Sequence, residues 1–271
     1  MRKTFDAIIS VGMFQPDTSA ASVLAALRLQ IEWGADEALD DQPLDRTRLR
    51  PVVGTVPALP LPARAPVIRL AASERAQALA SAALTLAELD AALDAFDGCP
   101  LRATATTTVR PAGNPEAGLV LVGEAPGAED DRSGTAFSGP GGALLDRMFA
   151  SIGLDRTGLL LTTLVPWRPP GNRAPTEAEI QACLPFLLRR LQLARPRRLL
   201  LLGSAPVKAL AGSTEGLRRL RGRWRPVELP GLAAPIAVLP MLPLDQALRT
   251  PASKQASWAD LVTLRLALNE R

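Results

Sequence analysis

A glycine-rich loop followed by acids is the part of this sequence best suited to chemistry. Gly123-Glu124-Ala125-Pro126-Gly127 follows an apolar run, and three acids come next at 129–131. Glycine lets the backbone approach a ligand closely. After Phe137, Gly139-Pro140-Gly141-Gly142 opens a predicted helix, whose first N–H groups would face an anion such as a phosphate. The pattern also suits a nucleotide-binding regulatory domain, although neither GxxxxGK[ST] nor GxGxxG is present.

Composition excludes several other chemistries. The 271 residues contain no histidine, so Ser-His-Asp triads and histidine-ligated zinc are ruled out. The two cysteines, Cys99 and Cys183, form no CxxC pair, which excludes a disulfide framework and a four-cysteine metal site.

The net charge of the chain is +4, and arginines are concentrated in its last third. A polyanionic partner is compatible with this charge, and a solvated basic surface is the alternative.

Four short apolar runs predict the elements that hold the loop in place. They lie at 119–122, 159–162, 199–202 and 236–239, with helices predicted at about 140–152, 176–194, 205–212 and 257–268. Strands that are apolar on both faces and alternate with helices indicate a parallel sheet covered on both sides. Ligands of such sheets bind beyond the carboxyl ends of the strands. The informative loops are therefore 123–139, 163–173, 203–206 and 240–251.

The first 95 residues have a different character and are predicted to be an extension before a domain at 96–271. A helical pattern covers 22–38, and the Pro-rich stretch 51–68 reads as a linker or extended arm. An Ala-rich helix is expected across about 72–95, with Thr85 as N-cap and Glu88 as its capping-box partner. Because no signal pattern or membrane-length apolar run occurs, we expect a cytoplasmic protein without membrane contact.

The stretch from Cys99 to about Trp258 resembles the family 4 uracil-DNA glycosylases. The segments that carry the resemblance occur in family order: FDGCPLRATAT, GEAPGAEDDRSGTAF, GALLDRMFASIGLDR, VPWRPPGNRAPTEAEIQACLPF, LLLLGSAPVKALAG and RRLRGRW. The resemblance implies a three-layer α/β/α fold with a central four-stranded parallel sheet. It also implies a monofunctional DNA glycosylase, with DNA as partner and no obligate protein partner.

The resemblance also assigns roles to residues. Glu124, Asp130 and Asn172 are the implied catalytic residues. The implied base-binding residues are Ala125, Pro126, Gly127, Phe137, Thr163, Leu242 and Pro243. The implied DNA-binding residues are Gly139, Gly141, Arg173, Ser204, Arg221, Arg223 and Arg249.

The chemistry accounts for these residue types. A flipped base needs an aromatic face to replace its lost stacking, and a carboxylate can stabilise an oxocarbenium ion and orient water. The alternatives are that Glu124 ties down its own loop, that Asp130 is a solvated loop acid, and that Phe137 belongs to the core.

The sequence departs from the family at two places. The family's four cluster cysteines align with Phe96, Cys99, Trp167 and Cys183. Because a [4Fe-4S] cubane needs four ligands, we expect no cofactor and no metal. The family's uracil-reading Asn aligns with Thr163, and its His-Pro motif aligns with Pro243-Leu244. A donor lost in this way costs about 10²–10³ in rate.

Three functions are compatible with these departures. The first is a glycosylase whose pocket is remodelled for a modified pyrimidine, such as a modified cytosine of phage DNA, which would imply antiviral defence. The second is weaker excision of uracil in DNA repair, through Glu124, Asp130 and Asn172. The third is a DNA-binding relative without catalysis, against which the retained acids argue.

Overall fold

The computed structural model describes residues 65–213, 215–247 and 249–269. They belong to one compact unit that spans residues 62–271. The helix predicted at 22–38 and most of the Pro-rich stretch lie outside the described residues. No helix of the described ranges is long and apolar enough to cross a membrane.

A six-stranded sheet forms the centre of the unit. Its strands are β1 (Ala112–Gly113), β2 (Leu119–Gly123), β3 (Leu160–Thr163), β4 (Arg198–Leu202), β5 (Arg225–Val227) and β6 (Ile236–Met241). Their order is β1-β3-β2-β4-β6-β5. The four predicted strands are the parallel ones, and β1 and β5 add antiparallel edges. The predicted four-stranded parallel sheet is therefore confirmed, and the two edge strands extend it to six strands. The edge strands have only two and three residues, too few for a readable period.

Nine α-helices are described around the sheet. They are α1 (Ala65–Ala82), α2 (Leu86–Ala95), α3 (Ala128–Ser133), α4 (Pro140–Ala150), α5 (Glu177–Ala194), α6 (Ser204–Ala211), α7 (Leu217–Leu220), α8 (Leu244–Ala247) and α9 (Pro251–Asn269). Short 3-10 turns cover Pro100–Ala103, Arg156–Gly158 and Pro170–Asn172. The helix predicted at 72–95 is therefore two helices, because the first helix ends at Ala82 and the second begins after Thr85.

Local capping explains where two of these helices begin. The Thr85 hydroxyl accepts from Glu88 N at 3.1 Å, as predicted, whereas the Glu88 carboxylate accepts from Leu84 N at 2.8 Å. At the start of α5, the Thr176 hydroxyl accepts from Glu179 N, and the Glu179 carboxylate accepts from Thr176 N at 2.7 Å. These bonds satisfy N–H groups that a helix start leaves without partners.

Alternate residues of the strands face two separate hydrophobic cores. On β2, Val120 and Val122 pack in one core with side chains of α1, α2, α5 and α6. Leu119 and Leu121 pack in the other with side chains of α4 and α9. A sheet buried on both faces between helices is the three-layer α/β/α fold that was predicted.

The helices before residue 96 contribute to the first core. Ala76 and Ala80 of α1 and Leu89 and Leu93 of α2 are buried there, and both helices contact α5. The predicted division at residue 95 stays a prediction, and this helical part of the extension supplies core side chains to the described unit.

Candidate active site

A cavity of about 690 Å³ lies at the carboxyl ends of the parallel strands. Because β2, β3, β4 and β6 all run the same way, the loops after them meet at this edge. Twelve predicted site residues line it: Glu124, Ala125, Pro126, Gly127, Asp130, Phe137, Gly139, Gly141, Thr163, Asn172, Arg173 and Pro243. Leu242, Ser204, Arg221, Arg223 and Arg249 are not among its lining residues.

Glu124 is the acid of this cavity whose carboxylate has no hydrogen-bond or ion-pair partner among the described residues. It lines the cavity and also a neighbouring hollow of about 300 Å³ that contains Ser204. Burial raises the pKa of the Glu124 carboxyl, and the negative charge of Asp245 adds to the effect. The alternative that Glu124 ties down its own loop does not match these contacts.

Asp130 differs, because both of its oxygens are occupied. One accepts from Gly127 N at 3.0 Å, and the other accepts from Ser138 N at 2.7 Å and from the Ser138 hydroxyl at 3.0 Å. These bonds join the beginning of the loop to its end and cap α3. Asp130 therefore holds the loop in shape, and its catalytic role stays a prediction.

The other two acids of the loop are also partnered. Asp131 is buried and accepts from Thr106 N at 2.8 Å, from the Thr106 hydroxyl at 2.9 Å and from Thr107 N at 3.2 Å. Glu129 is exposed and forms an ion pair with Arg132 at 2.7 Å. Asp131 thus fastens the 106–107 segment, which leaves Glu124 as the loop acid available to a ligand.

Phe137 stands at the cavity wall with a left-handed backbone. Its φ is +56°, a conformation that costs a non-glycine residue roughly 1–3 kcal/mol. The ring lies directly against β2, since a Cβ on Gly123 would come within 2.7 Å of the ring Cζ. Phe137 also packs against the second core. The functional and the core interpretations therefore both describe part of its environment.

The Thr163 hydroxyl has no free proton to donate to a ligand in the cavity. Its Oγ1 donates to the Val165 carbonyl at 2.8 Å in a buried position. The proton is therefore engaged, and only lone pairs are left for a ligand. The base contact of Thr163 stays a prediction, in which its hydroxyl would act as an acceptor.

Asn172 and Arg173 occupy the loop after β3. Asn172 has φ +56° and its Oδ1 accepts from Arg168 Nε at 2.7 Å, which leaves the amide N–H groups as donors. Arg173 makes a two-pronged pair with buried Glu179, at 2.9 and 2.6 Å. Arg173 holds the pKa of Glu179 below its ordinary value. Its guanidinium, predicted to contact phosphate, therefore also braces this loop.

The two arginines of the RGRW segment have different environments. Arg221 donates to fully buried Asp260 at 3.1 and 2.6 Å, and also to the Ala256 carbonyl. Burial raises the pKa of Asp260 to about 6, while Arg221 opposes the shift. The predicted DNA contact of Arg221 is corrected to a structural ion pair. Arg223 is exposed and forms no hydrogen bond or ion pair with its side chain in the described ranges.

Several residues at the site were not predicted. Asp245 lines the cavity and forms an exposed ion pair with Arg249 at 2.8 Å, so Arg249 already has a partner. Arg156 and Asp146 lie behind Phe137. Asp245 falls within the predicted ligand loop 240–251, but no motif marked it. Arg156 and Asp146 lie in the quoted segment GALLDRMFASIGLDR, but nothing in the sequence assigned a role to either, because Arg156 reaches Phe137 only through its backbone carbonyl.

A family model described as "Uracil DNA glycosylase superfamily" matches residues 110–262, more than half of the chain. With the three-layer fold and the cavity at the strand ends, this match shows that the chain belongs to the uracil-DNA glycosylase superfamily.

Three relatives named "Type-4 uracil-DNA glycosylase" place it more closely. The protein of Pyrobaculum aerophilum is 40% identical over 114 residues, which are 42% of this chain and 58% of the relative. That of Archaeoglobus fulgidus is 44% identical over 105 residues, 39% and 53% of the two chains. That of Saccharolobus solfataricus is 34% identical over 164 residues, 59% and 75%. The chain thus spans little more than half the length of the first two relatives.

The prediction of a cofactor-free protein is overturned by these comparisons. The relatives are type-4 enzymes by name, and the family resemblance attributes an iron-sulfur cluster to that class. At the four aligned positions, the Phe96 and Trp167 rings stack with centroids 6.4 Å apart, and Cys99 and Cys183 are buried. The thiols could serve as ligands, whereas the rings supply none, so these residues do not match a four-thiolate set.

Cys99 and Cys183 are free thiols that influence each other's pKa. A hydrogen bond from Cys183 holds the pKa of Cys99 below its ordinary value. The same bond, together with burial, raises the pKa of Cys183 well above its ordinary value. No step of the function proposed below passes through this region.

Proposed function

We propose that this protein is a monofunctional DNA glycosylase that hydrolyses the N-glycosidic bond of a pyrimidine flipped out of DNA. The product is DNA with an abasic site. The observation that carries the proposal is the Glu124 carboxylate, which is half-buried and unpartnered in a cavity with an aromatic wall. A buried carboxylate without a partner is costly, and such groups cluster at functional sites.

The arrangement suits the chemistry of base removal. A base in the cavity would stack on the Phe137 ring, which replaces the stacking lost in the duplex. Cleavage builds positive charge on the sugar, and the ionised Glu124 would stabilise it and orient the attacking water. The free amide N–H groups of Asn172 are donors for an oxygen of the base or the sugar.

Uracil is the base that the relatives' names support, since each is called a uracil-DNA glycosylase. A modified cytosine, including one of phage DNA, is the second candidate. It is favoured by the apolar side of the cavity at Pro243 and Leu244 and by Thr163, which can accept from an exocyclic amine. An antiviral role, a cytoplasmic location and a non-catalytic DNA-binding relative stay predictions.

The test is excision from four single-stranded and duplex oligonucleotides containing uracil, hypoxanthine, 5-hydroxymethylcytosine or its glucosylated form. Abasic products are cleaved with alkali and resolved by length. We expect product from uracil or from a modified cytosine, and loss of it in Glu124→Gln. Product from uracil alone would exclude the hypothesis that the pocket is remodelled for a modified pyrimidine.

The matched control is Glu129→Gln. Glu129 lines the same cavity and lies in the same loop, but it is exposed and paired with Arg132. Its removal should leave excision within about twofold, because surface ion pairs contribute little. Absence of product from every substrate, with DNA still bound, would favour the non-catalytic relative instead.

A further inference from the structure

We propose that Arg156, aided by Asp146, is a positioning residue that holds the Phe137 ring at the cavity wall. The inference rests on the proposed function, because it concerns the ring against which the flipped base would stack. Neither residue lines the cavity. Both act through the Phe137 backbone.

The contacts form a fork. Arg156 Nη2 donates to the Phe137 carbonyl at 2.5 Å. The same guanidinium donates to Asp146, from Nε to Oδ1 at 2.8 Å and from Nη2 to Oδ2 at 3.1 Å. A planar guanidinium can serve a carboxylate with two parallel bonds and still reach a third acceptor, whereas an ammonium cannot. Asp146 therefore fixes the direction in which Arg156 points.

Gly142 makes room for the carbonyl that Arg156 holds. A Cβ on Gly142 would lie 1.8 Å from the Phe137 oxygen and 3.0 Å from Arg156 Nη2. The carbonyl thus fits into a notch at the start of α4 that a side chain would fill. Arg156 Nη2 also borders this notch.

The held carbonyl determines where the ring goes. Phe137 has a φ of +56°, which a non-glycine residue adopts only when its surroundings impose it. In this conformation the ring packs against Gly123 at the end of β2. Without the bond from Arg156, the peptide can relax to an ordinary conformation, and the ring then leaves the wall.

The experiment uses the full chain and a duplex in which 2-aminopurine neighbours a uracil placed opposite guanine. The fluorescence of 2-aminopurine rises when its neighbour unstacks, so it reports capture of the base whether or not the base is excised. Four variants are compared: Arg156→Ala, Arg156→Lys, Phe137→Ala, and Arg156→Ala combined with Phe137→Ala. Arg75→Ala, which breaks an exposed ion pair with Asp97, is the matched control.

We expect Arg156→Ala and Arg156→Lys to lower both the fluorescence rise and the single-turnover excision rate about tenfold, with DNA affinity within about twofold. Small misplacements of a group at the site have large effects on rate. In the Phe137→Ala background, Arg156→Ala should have no further effect, because residues that act as one unit are not additive. Arg75→Ala should match the wild type.

Two results would overturn the inference: independent effects that multiply in the double variant, or unchanged base capture in Arg156→Ala. Should Arg156→Ala fail to fold, Asp146→Asn takes its place, since it keeps the carbonyl bond and weakens the fork. It should reduce base capture by a smaller factor, and an unchanged signal contradicts the inference. If excision is absent from the wild type while capture still shows the non-additive pattern, the proposed function fails and the positioning role stands.

Discussion

The two ends of the loop after β2 differ in how their carboxylates are satisfied. At its start, Glu124 has no partner among the described residues, and burial raises its pKa. Farther along, Asp130 accepts three hydrogen bonds from Gly127 and Ser138. One end of the loop is thus open to a ligand, and the other maintains the shape that presents it. A carboxylate's availability is set by its partners rather than by its position in a motif.

The arginines of the RGRW segment repeat this contrast. Arg221 is committed to buried Asp260, whereas Arg223 is exposed. Breaking a buried pair leaves an uncompensated charge, and an exposed charge remains free to meet a phosphate.

The largest change in stability is expected for Arg221→Ala. It leaves the Asp260 carboxyl, which is fully buried, without its ion-pair partner. Loss of one partner of a buried pair costs about 3–5 kcal/mol in the free energy of unfolding. Denaturant unfolding of Arg221→Ala beside Arg223→Ala measures this, and the second variant should stay within about 0.5 kcal/mol of the wild type. Equal losses of unfolding free energy in the two variants would contradict the assignment of Arg221 as structural and Arg223 as exposed and unpaired.

A smaller loss is expected for Asp130→Ala. The variant removes the acceptor that caps α3 and ties Ser138 to the loop. Such a cap contributes about 1–2 kcal/mol. Thermal and denaturant melting should show this loss, while Glu129→Ala, with only a surface ion pair to Arg132, should not. An unaltered melting curve for Asp130→Ala would mean that the loop is held by other contacts.

Arg223→Ala should act on DNA binding rather than on stability. If Arg223 neutralises one phosphate, its removal lowers the slope of log Kd against log salt concentration by about 1. Titrations of a labelled duplex at several salt concentrations measure the slope, with Arg75→Ala as an exposed control. An identical slope for Arg223→Ala and wild type would exclude Arg223 from the DNA surface.

The smallest effect is a pH dependence of stability that arises from Glu124. Its pKa in the folded state is raised, so this carboxyl holds a proton more tightly in the folded protein than in the unfolded chain. Relative to the unfolded chain, this contribution is fully present at low pH and is lost as pH rises through the folded pKa. Glu124→Gln should therefore match the wild type near pH 4 and become more stable than it toward pH 8. Melting curves of both across that range check the sign.

The sequence was sufficient for the parallel strands and for the end of the sheet at which the cavity lies. Apolar runs such as 119–122 and 236–239 are buried on both faces, which gives them an unambiguous pattern. The roles of Asp130 and Arg221 were not predictable in the same way. Arg221 meets Asp260 only through the packing of α9, and no local pattern encodes a contact over that separation.

Glu124→Gln tests the central claim most directly: the unpartnered carboxylate is the group that acts on the substrate. The measurement is the single-turnover rate of base excision, compared between the wild type, Glu124→Gln and Glu129→Gln on the best substrate. We expect Glu124→Gln to lose about 10²–10³ in rate with DNA affinity preserved and a melting temperature no lower than that of the wild type, while Glu129→Gln keeps its rate. A Glu124→Gln variant with the wild-type rate would contradict the account.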